Sequence, residues 1–114
     1  LTALFLHDWS EGGGNYKGSG LTGLKADFQI DDAALEGVEV LVASYTYEDY
    51  SGSAYVLFQK NGHLFEVHGS HCSCYGLEDQ WEPEAVTREA ILRRLKGSWG
   101  EEGRIKDHIR EALA

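Results

Sequence analysis

Four side chains that bind metals or attack carbon lie within seven residues: His68, His71, Cys72 and Cys74, in the run His68-Gly69-Ser70-His71-Cys72-Ser73-Cys74. Imidazole nitrogen and thiolate sulfur are the ligands zinc prefers, usually four in a tetrahedron. The loop offers that number, and His71, Cys72 and Cys74 form its tightest set. Against this, adjacent ligands such as His71 and Cys72 rarely converge on one ion, and C-x-C is closer than the usual knuckle. A second chemistry is a thiol made nucleophilic by a neighbouring imidazole. Cys72 or Cys74 would pair with His71 or His68, and Glu66 or Asp79 would orient the ring. A third reading is structural. Small Ser and Cys side chains bury in a tight turn, and the loop anchors a strand end to Tyr75, Leu77 and Trp81. A disulfide between Cys72 and Cys74 would close a strained ring, so reduced thiols are expected.

A second group, Tyr45-Thr46-Tyr47-Glu48-Asp49-Tyr50, could carry recognition instead of chemistry. Aromatic residues dominate interface hot spots, and acids select a basic partner. Tyr45, Tyr47, Glu48, Asp49 and Tyr50 are the candidate partner-binding residues. The alternative is a hairpin turn with solvated acids and half-buried tyrosines.

The segment Gly18-Ser19-Gly20-Leu21-Thr22-Gly23 matches G-x-G-x-x-G, the dinucleotide fingerprint. That fingerprint needs a buried strand directly before it and a long helix after it. Gly-, Asn- and Lys-containing sequence precedes it here, so a flexible connection is expected over Ser10–Gly23, which holds six glycines. No serine nucleophile elbow is present, and Arg93-Arg94 is too little for a nucleic-acid site.

The elements that would position these groups follow from periodicity and turn signals. The 114 residues fit one domain, with a glycine-rich segment over 1–30, antiparallel strands over 38–68 and helices over 87–113. Leu1–Trp9 reads as a short apolar strand, with helix as the alternative. Asp31 or Asp32 caps a short helical turn ended by Gly37. Val38–Tyr47, Ser53–Lys60 and His63–His68 read as strands. Asn61-Gly62 predicts a two-residue hairpin turn. That turn sets Lys60 opposite His63, Phe58 opposite Phe65, Val56 opposite Val67 and Tyr55 opposite His68. Phe58, Phe65, Val56, Val67 and Ala54 then share the core face. Tyr55, Leu57, Leu64, Glu66 and His68 share the other, covered by the N-terminal segment or open as a binding surface. Thr87 caps a helix whose stripe is Ile91, Leu92 and Leu95. Glu101–Leu113 forms another with Ile105, Ile109, Ala112 and Leu113. Trp81 and Trp99 flank the first of these helices as packing residues. The expected fold is α+β: an antiparallel meander of three to four strands with two C-terminal helices on one face.

Charge is uneven along the chain. The net is −9; residues 1–84 hold three lysines against fourteen acids, a net of −11, and residues 85–114 net +2. Such a body repels nucleic-acid phosphates and anionic membranes and suits a basic protein partner. The longest apolar stretch, near Val38–Ala43, is interrupted by Glu39 and too short to span a bilayer. Leu1–Leu6 lacks the basic flank of a signal peptide. The absent initiator Met suggests a trimmed or processed chain, and a cytoplasmic protein is expected.

The stretch Asn61 to Glu84, with Gly69-Ser70-His71-Cys72-Ser73-Cys74-Tyr75-Gly76-Leu77-Glu78 followed by Gln80-Trp81-Glu82-Pro83-Glu84, resembles a family of small uncharacterised bacteriophage and prophage proteins. The resemblance covers about residues 38–97. Members often carry Asn at the position of His68, which makes that residue a replaceable ligand. The resemblance implies a non-catalytic accessory protein that binds a host protein in the host cytoplasm, blocking a nucleic-acid-handling or defence system.

Overall fold

The structure, a computed structural model, describes residues 3–10, 18–48, 51–71, 76–97 and 105–114, with only the backbone described at positions 47, 48, 51 and 71. Among the described residues there are five strands: β1 (Leu4–His7), β2 (Glu39–Glu48), β3 (Ser51–Lys60), β4 (His63–His71) and β5 (Glu84–Val86). Its helices are α1 (Gly20–Phe28), α2 (Arg88–Arg94) and α3 (Lys106–Ala112). A 3-10 turn at Asp32–Leu35 precedes β2, and another at Leu95–Gly97 extends α2. Among the described residues, no helix is long and apolar enough to cross a membrane.

The α+β class is as expected, but the sheet is larger and mixed. Its spatial order follows the chain, β1-β2-β3-β4-β5. β2 to β5 form an antiparallel meander, whereas β1 pairs with β2 in parallel, Leu4 beside Val42. A parallel neighbour requires a crossover connection, and α1 lies within it. β5 pairs Glu84, Ala85 and Val86 with Glu66, Phe65 and Leu64, a strand that three residues of weak pattern do not announce.

The Asn61-Gly62 turn sets the β3–β4 register. Both residues adopt the positive φ a type I′ turn needs, 53° and 78°. Lys60 pairs with His63, Phe58 with Phe65, Val56 with Val67 and Tyr55 with His68, as the two-residue turn requires. Pairing continues past His68 to His71, so Gly69, Ser70 and His71 belong to β4 and not to a loop.

Both faces of the sheet are buried. Val40, Ala43, Tyr45, Ala54, Val56, Phe58 and Val67 face α1, whose Leu24 and Phe28 cover them with Trp9 and Leu77. Leu41, Val42, Tyr55 and Leu57 face the C-terminal helices through Ile91, Leu95, Ile105, Ile109 and Leu113. The two C-terminal helices therefore share one face, as expected. The N-terminal segment covers the opposite face from the one the hairpin pattern left open. Each fully buried aliphatic side chain contributes about 1.5–3 kcal/mol relative to exposure. A bulge makes the two layers compatible: Val40 pairs with Phe58 and Val42 with Leu57, leaving Leu41 as the extra residue. Strict alternation from Val40 would turn Val42 to the α1 side. The bulge sends Leu41 and Val42 together to the other side and returns Ala43 and Tyr45 to α1.

The helix α1 replaces the flexible connection expected through Gly23. Ser19, at its N-cap, makes no side-chain capping bond, so tertiary contacts hold it. Leu24 and Phe28 recur at helical spacing and are buried. Trp9 Nε1 donates to Asp27 across the layer at 2.8 Å. Gly20 donates its N–H to the Trp9 carbonyl at 2.7 Å. A Cβ on Gly23 would stand 2.4 Å from the Gly18 carbonyl oxygen, so this glycine permits a backbone-to-backbone approach. The G-x-G-x-x-G letters thus serve packing.

At the other end of the chain, Thr87 caps α2 by accepting from the Ala90 N–H. Asp31 does the same for Ala34 at the 3-10 turn. The last helix begins at Lys106 with Ile105 as its N-cap, five residues later than the expected start at Glu101; Glu101–Arg104 and Trp99 lie outside the described residues.

Candidate functional site at one end of the sheet

Strand direction places the described parts of both nominated segments at the same end of the sheet. β2 leaves this end at Glu48, β3 enters it at Ser51, and Glu48 pairs with Ser51. β4 arrives beside them, with His71 opposite Gly52. The parallel β1 ends there too, with His7 beside Tyr45. Asp49, Tyr50, Cys72 and Cys74, and the side chains of Tyr47, Glu48 and His71, lie outside the described residues. Tyr45 is described, and it is buried, its ring centroid 5.3 Å from that of Trp9. It packs beneath the turn instead of projecting from it.

Gln80 organises the chain around the His/Cys segment. Its carboxamide accepts from the Ser70 N–H at 2.8 Å and donates to the Ser70 carbonyl at 2.7 Å. It therefore occupies the place of a further strand on β4. The same amide nitrogen donates to the Gly76 carbonyl at 3.0 Å, and Glu78 accepts from the Gly76 N–H at 2.9 Å. Both flanks of residues 72–75 are thus held. Below them Gly69 gives Leu77 and Phe28 room; a Cβ there would meet Leu77 Cδ2 at 2.9 Å. Trp81 stacks on Phe58 at 5.7 Å and meets Phe28 edge-on at 5.2 Å, in the packing role expected of it. Ser70, Glu78, Asp79 and Gln80 line an open groove of about 490 Å³. Two of its four lining residues are acids, and Asp79 is exposed with φ +66°.

A polar centre lies on the opposite face of β3 and β4. Glu66 is 2 % exposed and accepts from the Tyr55 hydroxyl and the Arg94 guanidinium of α2. His68 Nε2 stands 3.8 Å from its other oxygen, and the His68 ring meets Tyr55 edge-on at 5.2 Å. Burial pushes the Glu66 carboxyl upward, but the neighbouring His68 ring, the hydrogen bonds from Arg94 and Tyr55 and the Arg94 charge outweigh it. The result is a pKa lowered from 4.5 to about 2. Such a group stays ionised at neutral pH and is a poor proton shuttle, since acid–base catalysis favours a pKa near the working pH. Further along the same face, His7 Nδ1 lies 2.9 Å from the hydroxyl of Ser44, which is fully buried and closed to substrate.

Glu66 and His68 were recognisable as polar residues on one hairpin face. Their partner Arg94 was not, because 28 residues separate it from Glu66. Gln80 had no signal beyond its place in the Gln-Trp-Glu-Pro-Glu string. Among the described residues, no group of three or more His, Cys, Asp or Glu side chains is placed to hold a metal. Compared with known proteins, the chain matches no family model, no curated protein and no solved structure.

Proposed function

We propose that this is a non-catalytic interaction protein of phage type. It binds a basic surface of a host protein through the acidic, tyrosine-rich end of its sheet, and so blocks a nucleic-acid-handling or defence system. The observation that carries the reading is topological. Glu48 and Ser51, the strand residues either side of Asp49 and Tyr50 in the chain, lie at the same sheet end as the groove with Glu78 and Asp79. Acids at such a rim steer a cationic partner, and tyrosines supply contact area. The ionised, fully engaged Glu66 fits a scaffold better than a proton-transfer site.

Capture from host lysate, followed by titration of the purified partner, tests the reading. The expected partner binds more weakly as salt rises, because exposed charges are screened beyond about 10 Å at 0.1 M salt. Asp79→Asn keeps a residue that tolerates positive φ while removing one charge. Combined with alanine at Tyr47, Glu48, Asp49 and Tyr50, it should abolish capture while leaving the melting transition in place. Equal capture by wild type and this variant, or a salt-independent affinity, would overturn the proposal.

A further inference from the structure

β1 forms the outer edge of the sheet, and its sequence Leu4-Phe5-Leu6-His7 has none of the usual edge protection by lysine, proline or a bulge. Asp8 donates its N–H to the Tyr45 carbonyl at 2.8 Å, which sets the parity of the strand. Leu4 and Leu6 turn their backbone groups toward β2, and Phe5 turns its N–H and C=O outward. Among the described residues, no strand pairs with that outer edge.

The side chains on this edge are unusual as well. Leu4 and Leu21 are the exposed large hydrophobic residues among those described, at 38 % and 44 %, and both border β1. Leu4 shares its row with Val42 on the face of the C-terminal helices. Phe5 lies on the α1 face, where an apolar groove of about 240 Å³ runs between β1, α1 and the start of β2. Ala3, Phe5, Leu21, Leu35 and Val40 line it, and Glu39 is its charged residue. Glu36, next to Leu35, is exposed, whereas Asp32 is engaged by Lys25; Lys60, alongside Gly37, is the nearby cation.

We infer that β1 is a docking edge for an extended segment of a partner protein. The segment is apolar at alternate positions and carries Lys or Arg at its ends. It adds a strand beside β1, pairs with the outward N–H and C=O of Phe5, and covers Phe5 and Leu21 on one face and Leu4 on the other. The basic end that lies beside the start of β2 meets Glu36 and Glu39. A second copy of this chain fits less well, because each copy brings a net charge of −9 to the contact. This edge is a different surface from the sheet end, and the inference does not rest on the function proposed above.

The test uses the peptide Lys-Val-Thr-Val-Thr-Val-Lys with blocked termini, and a version with proline at its centre, titrated into the full chain and followed by amide NMR. The Phe5 amide is expected to exchange rapidly in the free protein and slowly with the first peptide. The proline peptide loses a backbone donor and should bind at least about tenfold more weakly. Leu21→Glu, at an exposed position, should cause a similar loss without unfolding the protein. The inference fails if the first peptide does not bind at about millimolar concentration. It fails equally if proline makes no difference. A Phe5 amide already protected in the free monomer, or only in a dimer, would assign the edge to this chain itself and overturn it.

Discussion

Glu66 shows how a single buried charge is made tolerable. An unpaired carboxylate at its depth would cost several kcal/mol, and polar partners from three elements, Tyr55 of β3, His68 of β4 and Arg94 of α2, remove that cost. Because the carboxyl is held at about 2 instead of 4.5, the folded state favours the ionised form. The stabilisation is complete above about pH 4.5 and is lost as the pH falls towards about 2. The shift corresponds to roughly 3 kcal/mol as an upper figure, since water screens the partly exposed Arg94 and His68. Glu66→Gln is therefore expected to be less stable than wild type at pH 7 and to show a flatter acid limb in urea melts between pH 5 and 2. Identical pH profiles would refute this account. Gln80 is the corresponding residue for the backbone. Gln80→Ala removes three hydrogen bonds and leaves the outer edge of β4 at Ser70 unpartnered. A loss of about 1–3 kcal/mol is expected, with faster amide exchange at Ser70.

At the scale of elements, legibility followed how locally each element is determined. The β3–β4 hairpin could be read to the residue, because a two-residue turn leaves one register open. The α2 cap at Thr87 could be read for the same reason. The parallel partner of β1 could not, since nothing in Leu4–His7 indicates which distant strand it joins. Nor could the bulge at Leu41, which sits in an apolar run where neither face is polar. The helix α1 was hidden by its glycines, which lower intrinsic helicity by roughly 1 kcal/mol each. Gly20 and Gly23 lie inside that helix all the same, held by Leu24, Phe28, Asp27 and the Trp9 carbonyl. Gly23→Ala tests this directly. Propensity alone forecasts stabilisation, whereas the Gly18 carbonyl at 2.4 Å forecasts a net loss of about 1–3 kcal/mol. Gly97→Ala, with nothing within 4 Å of the added carbon, should stay within about 0.5 kcal/mol of wild type. A stabilised Gly23→Ala protein would show that the close approach yields easily. The candidate site was legible as two sequence strings, but their shared location was not, because it depends on strand direction across β2, β3 and β4.

For the whole molecule, charge and topology pull apart. The acidic first three-quarters supplies β1 to β4, while the mildly basic remainder supplies most of β5 and α2 and α3 on one face. The association rate with a cationic partner should consequently fall steeply with ionic strength while dissociation changes little, which stopped-flow mixing at two salt concentrations would resolve. A rate insensitive to salt would argue for a contact elsewhere on the surface. The parallel pairing of Leu4 with Val42 also has a kinetic meaning. Strands β2, β3 and β4 can zip through short connections, but β1 must close a loop running through α1 before it gains any pairing. The entropy of closure grows with loop length, so that contact forms late. Leu6→Ala should accordingly speed unfolding and leave the refolding rate nearly unchanged, whereas Val56→Ala should slow refolding. On this view the nascent chain passes through a meander whose β2 edge is bare, and the N-terminal strand and helix arrive last to close it.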